Sequence, residues 1–240
     1  MVRAAETDGA EMLKASLVRG FRDAPGRMLA KRSFFAVFAA AAFALGIGAA
    51  ILPPSSSNAF DPIRTMLVGT DCLLGVAFFF ILADAVRAER SDFVMTLRIL
   101  IGWLARVWLS LATVAAGIAF FIAPGLYAAV KLAPWTAYFL LGADEPLQQT
   151  FRDTTGYFWE TCAFLVFAWL FPQLTLIAVA LTAALCVVVF PLCAIVATPL
   201  LVFFGCYALT VVCLVWMHYS AALMRSGVTR FGGAAASPAP

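Results

Sequence analysis

Residues 164–217 read "FLVFAWLFPQLTLIAVALTAALCVVVFPLCAIVATPLLVFFGCYALTVVCLVWM", and they contain no charged side chain. A helix that crosses a bilayer needs about 20 predominantly apolar residues, so this segment holds at least two membrane helices. Three prolines are its main breaks. We predict two long helices, at 157–180 and 192–218, with a connection between them. Three shorter spans also fit the length of the segment.

The composition of the whole chain supports the same fold class. Of its 240 residues, 64% are hydrophobic and only 12% are charged, and the mean hydropathy is +0.97. A soluble domain is closer to half apolar and a quarter charged. A chain this apolar cannot bury its side chains in a water-soluble core. The sequence therefore predicts an all-α, polytopic transmembrane bundle.

Charges and prolines divide the chain into six predicted spans. They cover 33–52, 63–86, 97–122, 126–141, 157–180 and 192–218, within a membrane domain over 33–224. "APG" at Ala123–Gly125 predicts a sharp turn before the fourth span. That span is short and contains Pro134, which predicts a kink. A Gly/Pro-rich tail over 225–240 is predicted to be disordered.

The positive charges predict the orientation of these spans. Arg87, Arg90 and Arg98 cluster in the second loop, and Arg225 and Arg230 follow the last span. Short loops rich in Lys and Arg stay in the cytoplasm. Six spans keep all of them inside, whereas seven would export the last two. We predict a multi-pass protein of the cytoplasmic (inner) membrane with both termini in the cytoplasm.

The basic segment 1–32 precedes the first span and contains a short amphipathic pattern. Leu13, Leu17 and Phe21 recur at four-residue spacing over residues 10–22. A basic, partly apolar helix at this place is expected to lie in the headgroup region. A frayed polar tail is the alternative.

A polar island, "GADEPLQQTFRDTTGYFWE" at 142–160, separates the fourth and fifth predicted spans. Asp144, Glu145 and a following proline are a helix N-terminal signal, and Gly156 is a C-terminal stop. The apolar positions Leu147 and Phe151 are four apart. The pattern predicts an amphipathic helix on the inner membrane surface, followed by an aromatic anchor. The acidic residues are therefore interpreted as helix start signals.

The segment "PGLYAAVKLAPWTAYFLLGADEPLQQTFRDTTGYFW", residues 124–159, resembles a group of bacterial six-span proteins. The group includes the membrane domain that accompanies some glycerophosphodiester phosphodiesterases. The matching residues are Pro124, Gly125, Lys131, Pro134, Glu145, Thr150, Phe151, Gly156, Phe158 and Trp159. Thr150 stands where Ser is common, and Thr155 where a basic residue is usual. The resemblance implies a six-span fold and no hydrolase activity, because hydrolysis in that group belongs to a separate soluble barrel.

Ionisable residues inside the predicted spans are the candidate functional residues. Asp71 and Lys131 are predicted at similar depths in spans two and four, which favours an outer pair. Asp84 is predicted to pair with Arg106, or with Arg98, nearer the inner end. Such pairs either fix the order of the helices or serve transport or ligand binding.

No catalytic, cofactor or metal motif stands out in the sequence. His218 is its single histidine, and six cysteines lie in apolar runs without metal spacing. We expect no enzyme activity, no cofactor, no metal and no nucleic-acid partner. The expected partners are the lipid bilayer and a membrane protein or a second copy of the chain. The predicted function is a membrane scaffold or regulatory partner, with a small-molecule or lipid transporter as the alternative.

Overall fold

A computed structural model describes residues 2–51, 62–189 and 194–232 of the chain. All regular structure in these ranges is helical. The helices are α1 Val2–Ala30, α2 Arg32–Ile51, α3 Pro62–Glu89, α4 Leu97–Phe120, α5 Ile122–Leu132, α6 Trp135–Leu141, α7 Pro146–Asp153, α8 Phe158–Val189 and α9 Ala194–Gly232. A 3-10 turn at Thr154–Gly156 joins α7 to α8. The predicted all-α class is confirmed for the described part of the chain.

Several of these helices are long and apolar enough to cross a membrane. In the described residues there are four such segments, Val68–Glu89, Leu97–Phe120, Phe158–Thr182 and Ile195–Ser226. The pair α1 and α2 bends by 81° at Lys31 and brings the number to five if it is taken as one broken span. The helical content and these apolar lengths indicate a protein that associates with a membrane.

The observed helix ends differ from the predicted ones where proline is involved. The region of the fourth predicted span forms two helices, which meet at Ala133 and Pro134. By contrast, α8 continues through Pro172 to Val189. Since α9 reaches Gly232, the first residues of the predicted disordered tail are helical. Residues 52–61 and 190–193 lie outside the described part of the chain, and with them the predicted loop between the first two spans and the end of the predicted connection between residues 180 and 192.

The chain divides into two compact units. Unit 1 comprises Met1–Gly20, Ala83–Ala168 and Leu214–Pro240. Unit 2 comprises Phe21–Leu82 and Trp169–Cys213.

Unit 2 packs its helices through small residues and aromatic rings. A Cβ at Gly69 of α3 would lie 2.9 Å from Leu45 of α2. A Cβ at Gly205 of α9 would lie 2.7 Å from Leu74 of α3. Small residues allow helices to approach this closely, which strengthens the van der Waals packing between them.

Unit 1 contains a tight hairpin formed by α4 and α5. Phe121 alone connects them, in an extended conformation with φ −159° and ψ 145°. A Cβ on Gly117 would lie 2.8 Å from the Cα of Gly125, and a Cβ on Gly125 would lie 2.6 Å from the nitrogen of Ile118. The predicted turn at Ala123–Gly125 is therefore wrong by a few residues. Pro124 fits into the first turn of α5, where its missing N–H costs nothing.

The first helix buries small side chains and leaves the predicted apolar stripe partly exposed. Ser16 and Gly20 are buried in α1, whereas Leu13 and Leu17 are only partly buried. Near its start, Gly9 packs closely against Tyr157 and Glu160. Small residues form the inner face because they permit this close approach.

Candidate functional site

The polar side chains of unit 1 cluster around α7, the helix of the polar island. Lys131 of α5 is 3% exposed. Its Nζ donates to the hydroxyl of Thr155 at 2.9 Å and to the carbonyl of Phe151 at 3.2 Å. The side chain of Asp71 lies outside the described part of the chain, so the predicted Asp71–Lys131 pair stays a prediction.

The position of the Lys131 ammonium explains part of its burial. Phe151 lies in the last turn of α7, and its carbonyl accepts hydrogen bonds from the Thr155 hydroxyl at 2.7 Å and from the Lys131 ammonium. The C-terminal carbonyls of a helix carry partial negative charge, which a cation stabilises. Lys131 thus holds the end of α7 against α5.

Tyr138 and Asp153 form a second bond between the helices and the island. The hydroxyl of Tyr138, on α6, donates to Oδ2 of Asp153 at 3.0 Å. Arg152 lies 3.3 Å from the other carboxylate oxygen. Burial raises the pKa of Asp153 above its ordinary value, and the bonds from Tyr138 and Arg152 oppose this shift.

Thr161 and Tyr219 connect the start of α8 with α9. Their hydroxyls are 2.9 Å apart, and both residues are fully buried. The ring of Tyr219 also stacks on Phe164, with 5.5 Å between the centroids. A buried hydroxyl pair of this kind fixes the relative position of two apolar helices.

The end of α3 is joined to α9 by a carboxylate. Oε1 of Glu89 lies 2.5 Å from Nδ1 of His218, and Oε2 lies 3.3 Å from Nη1 of Arg225. His218 and Glu89 are largely buried, whereas Arg225 is exposed. One acidic side chain therefore bonds two basic groups two turns apart on α9.

Arg106 of α4 lies on an aromatic ring of α6. Its guanidinium carbon is 3.7 Å from the ring centroid of Phe139, and Nη1 donates to the carbonyl of Gly102 at 2.8 Å. The predicted inner pair with Asp84 is not among these contacts and stays a prediction.

The helix of the island, α7, has an exposed apolar face and a buried polar face. Leu147 and Phe151 are about 40% exposed, as an amphipathic surface helix requires. Thr150 and Asp153, however, are buried on another face. The hydroxyl of Thr150 donates to the carbonyl of Pro146 at 2.6 Å, so its burial leaves no unpaired donor.

The predicted helix start and stop signals of the island are only partly confirmed. Glu145 occupies the N-cap position, but its side chain makes no capping hydrogen bond. The α-helix ends at Asp153, and Gly156 instead closes the 3-10 turn. Phe158 stacks on Tyr127 at 5.9 Å, and Trp159 is 77% exposed.

An open cleft of about 440 Å³ lies along the polar face of the island. It is lined by Asp144, Glu145, Gln148, Gln149 and Arg152. In the described residues no group of three histidine, cysteine or acidic side chains has the arrangement of a metal site.

Reasoning from the sequence missed most of the buried polar partners. Tyr138, Asp153 and Thr155 bond with residues far from them in sequence. Glu89 lies at the end of an apolar helix, where a surface charge is the ordinary expectation. The one usable signal was the density of hydroxyl residues in "TFRDTTGY", which is high for a connection between two apolar segments.

Comparison with known protein families, with curated proteins and with solved structures finds no match to this chain.

Proposed function

We propose that the chain is a multi-pass protein of the cytoplasmic membrane that acts as a non-enzymatic scaffold or assembly partner. The observation that carries this proposal is the use of the polar side chains in unit 1. Lys131, Asp153, Glu89 and Tyr219 each bond one helix to another element. Such bonds build a rigid platform rather than a reaction centre.

The surfaces of α4 and α8 support insertion into a bilayer. Only 6% of the most apolar window of each helix is buried within the protein. Thr113 and Thr182 are exposed on these helices, and their hydroxyls donate to carbonyls one turn earlier, at 2.8 and 2.9 Å. Lipid offers no hydrogen-bond partner, so a lipid-facing hydroxyl must bond within its own helix.

Six crossings are our preferred topology. In this proposal, four crossings are the four apolar segments, and the other two are α2 and the pair of α5 and α6. The pair together covers residues 122–141, which is about the length that a bilayer needs. The resemblance of residues 124–159 to a six-span group stays a prediction, and it would imply the same number. The clusters of arginine favour a cytoplasmic position for both termini.

Reporter fusions test this topology. Green fluorescent protein fused after Asp92, Glu145 or the last residue is expected to fluoresce, because it folds in the cytoplasm. Alkaline phosphatase fused after Ser57 or Phe121 is expected to be active, because it requires the outer side. The reverse pattern at any one point contradicts six spans.

A partner test addresses the scaffold role. The full chain, tagged and cross-linked in membranes, is expected to purify with one membrane protein, or a second copy of itself, in fixed proportion. Substitution of Gln148→Ala and Glu145→Ala on the exposed face of α7 is expected to weaken that association without lowering thermal stability. A chain that is monodisperse and alone after cross-linking contradicts the scaffold.

A transporter is the second candidate, and Lys131 favours it. In the described part of the chain, its buried ammonium is bonded only by neutral acceptors. A buried charge without an opposite charge is expensive and is often functional in membrane proteins.

Lys131→Met separates these two functions. If Lys131 is structural, the variant unfolds at a lower temperature and loses about 1–3 kcal/mol of stability, because the Phe151 carbonyl and the Thr155 hydroxyl each lose the hydrogen bond from the ammonium. If Lys131 serves transport, the variant keeps its thermal stability, and a cell phenotype that depends on the protein is lost. Thermal unfolding in detergent distinguishes the outcomes. Lys14→Met, at an exposed position of α1, is the matched control.

A further inference from the structure

Two arginines of α4 line up on one side of the helix with a glycine between them. Arg98, Gly102 and Arg106 follow one another at four-residue spacing, which places them on neighbouring turns of one face. Gly102 leaves space for the Arg106 side chain to fold towards the start of α4. A Cβ at Gly102 would lie 3.4 Å from Nη1 of Arg106 and 3.1 Å from the Phe139 ring.

The folded side chain brings the Arg106 charge closer to the start of the helix. Its Nη1 is bonded to the carbonyl of Gly102, a full turn before Arg106. Gly102 is five residues after Leu97, or about 8 Å along the helix axis. The Arg106 guanidinium therefore lies within reach of the headgroup level if α4 crosses the bilayer from its first residue.

Neither arginine meets a carboxylate in the described part of the chain. The contacts of Arg106 are the Gly102 carbonyl and the face of Phe139. Its Nε is buried and has no hydrogen-bond partner among the described residues. Arg98 is exposed, and Asp92, the acidic residue that precedes it most closely, pairs with Arg90. Two guanidinium groups thus retain donors for an anion.

The chemistry of guanidinium indicates which anion fits. Its planar fork matches the two oxygens of a phosphate or carboxylate, and its face stacks on aromatic rings. Phe139 covers one face of Arg106 and Nη1 bonds to the Gly102 carbonyl, so the N–H groups that remain without a described partner are the donors for an anion. Basic groups between membrane helices on the cytoplasmic side are suited to anionic lipid headgroups.

We propose that Arg98 and Arg106 form a phosphate-binding clamp at the start of α4, with Phe139 as the platform beneath Arg106. The ligand is a phosphate group with net negative charge, carried by an anionic phospholipid or present as free phosphate. This inference rests on the proposed insertion of α4 into the membrane. It adds a class of ligand to the proposed function.

The test measures lipid binding to the full-length protein. The purified protein in detergent receives equal amounts of phosphatidylglycerol and phosphatidylcholine with the same acyl chains, and native mass spectrometry counts the bound lipids. We expect a preference for phosphatidylglycerol that falls about tenfold or more in the double variant Arg98→Gln, Arg106→Gln. Arg19→Gln, an exposed arginine on α1, is expected to keep the preference.

A second arm identifies the source of the phosphate. Inorganic phosphate is added to the wild type and to the double variant. Displacement of phosphatidylglycerol from the wild type alone indicates a site open to soluble phosphate, whereas no displacement indicates a lipid headgroup. Both results support the clamp.

Two outcomes overturn the proposal. One is equal binding of the two lipids by the wild type, and the other is an unchanged preference in the double variant. If the double variant does not fold, Arg98→Gln alone decides, because this side chain is exposed and bonds to no described residue. Its preference is expected to fall about fivefold, and an unchanged value overturns the clamp.

Membrane insertion is measured separately, by extraction of cell membranes at alkaline pH. A chain released from the membrane contradicts the proposed function. A chain that stays in the membrane but shows no preference for phosphatidylglycerol contradicts the clamp alone.

Discussion

Asp153 is the acidic residue of the polar island whose carboxylate is removed from water. Its side chain is 1% exposed, and it accepts a hydrogen bond from Tyr138. Burial disfavours the charged form, which is why its pKa is raised. The neighbouring acidic residues Asp144 and Glu145 are exposed at the start of α7. Three carboxylates within ten residues thus lie in two different environments.

Asp153→Asn is expected to be as stable as the wild type, or more stable, at neutral pH. Asparagine keeps an acceptor for the Tyr138 hydroxyl and carries no charge that burial penalises. Asp153→Leu leaves that hydroxyl unpaired and is expected to lose about 1–3 kcal/mol. Thermal unfolding in detergent measures both, and equal loss in the two variants contradicts this account.

The pH dependence of Asp153 has a definite sign. A raised pKa in the folded state means that the folded protein binds the proton more tightly than the unfolded chain. The contribution of Asp153 to stability therefore falls as the pH rises through the window between its ordinary pKa of about 3.8 and its raised value. The wild type is expected to gain stability relative to Asp153→Asn as the pH is lowered through this window.

Among the elements, the hairpin of α4 and α5 depends most on residue size. Gly125 is buried, and its Cα faces Gly117 across the hairpin. The atoms that a Cβ on Gly125 would meet include backbone, which cannot rotate away as a side chain does. The close contact therefore requires glycine at position 125 and does not merely favour it.

Gly125→Ala is expected to destabilise the protein by about 1–3 kcal/mol or to separate the two helices, because the hairpin cannot absorb the added methyl group. Gly75→Ala on α3 is the matched control, since a Cβ there meets no atom within 4 Å. The control is expected to be neutral or slightly stabilising. Thermal unfolding measures both, and equal effects at the two glycines exclude the packing explanation.

The sequence predicted the existence of the helices better than their contacts. Apolar length alone identified α3, α4, α8 and α9, because about 20 apolar residues have one stable conformation in a bilayer. The burial of Ser16 and Gly20 in α1 was not predicted, because the apolar pattern identified only Leu13, Leu17 and Phe21. Between closely packed helices, small size decides which residues face inwards, and hydropathy scales do not measure it.

The candidate site was predicted only in part. Lys131 was identified because a charged side chain in an apolar segment has a high free-energy cost. Its acceptors, however, lie 20 and 24 residues away in the sequence. The carbonyl of Phe151 is a backbone group, which no side-chain pattern reveals. A single sequence marks the charge that needs a partner, whereas the fold determines which partner it receives.

For the whole molecule, the exposed apolar faces decide where a charge is tolerated. Leu97 and Leu111 are both on α4, and they are 72% and 56% exposed. In water the two positions would accept lysine equally well. In a bilayer Leu97 lies at the helix end, whereas Leu111 lies more than three turns inside.

Leu111→Lys is expected to lower membrane insertion strongly, by about 2.5–3.5 kcal/mol on insertion scales for a charge near the helix centre. Leu97→Lys is expected to be tolerated, because its side chain reaches the interface. The fraction of protein in the membrane after alkaline extraction measures the difference. Equal insertion of the two variants contradicts a bilayer around α4.

The single residue between α4 and α5 also constrains how the protein is made. If α4 and α5 enter the bilayer as proposed, Phe121 is too short a connection for one helix to be inserted while the other remains in the translocation channel. We expect the two helices to leave the channel together as one hairpin. Released chains that end after residue 120 and after residue 145 measure this order, and stable insertion of α4 is expected only for the longer chain.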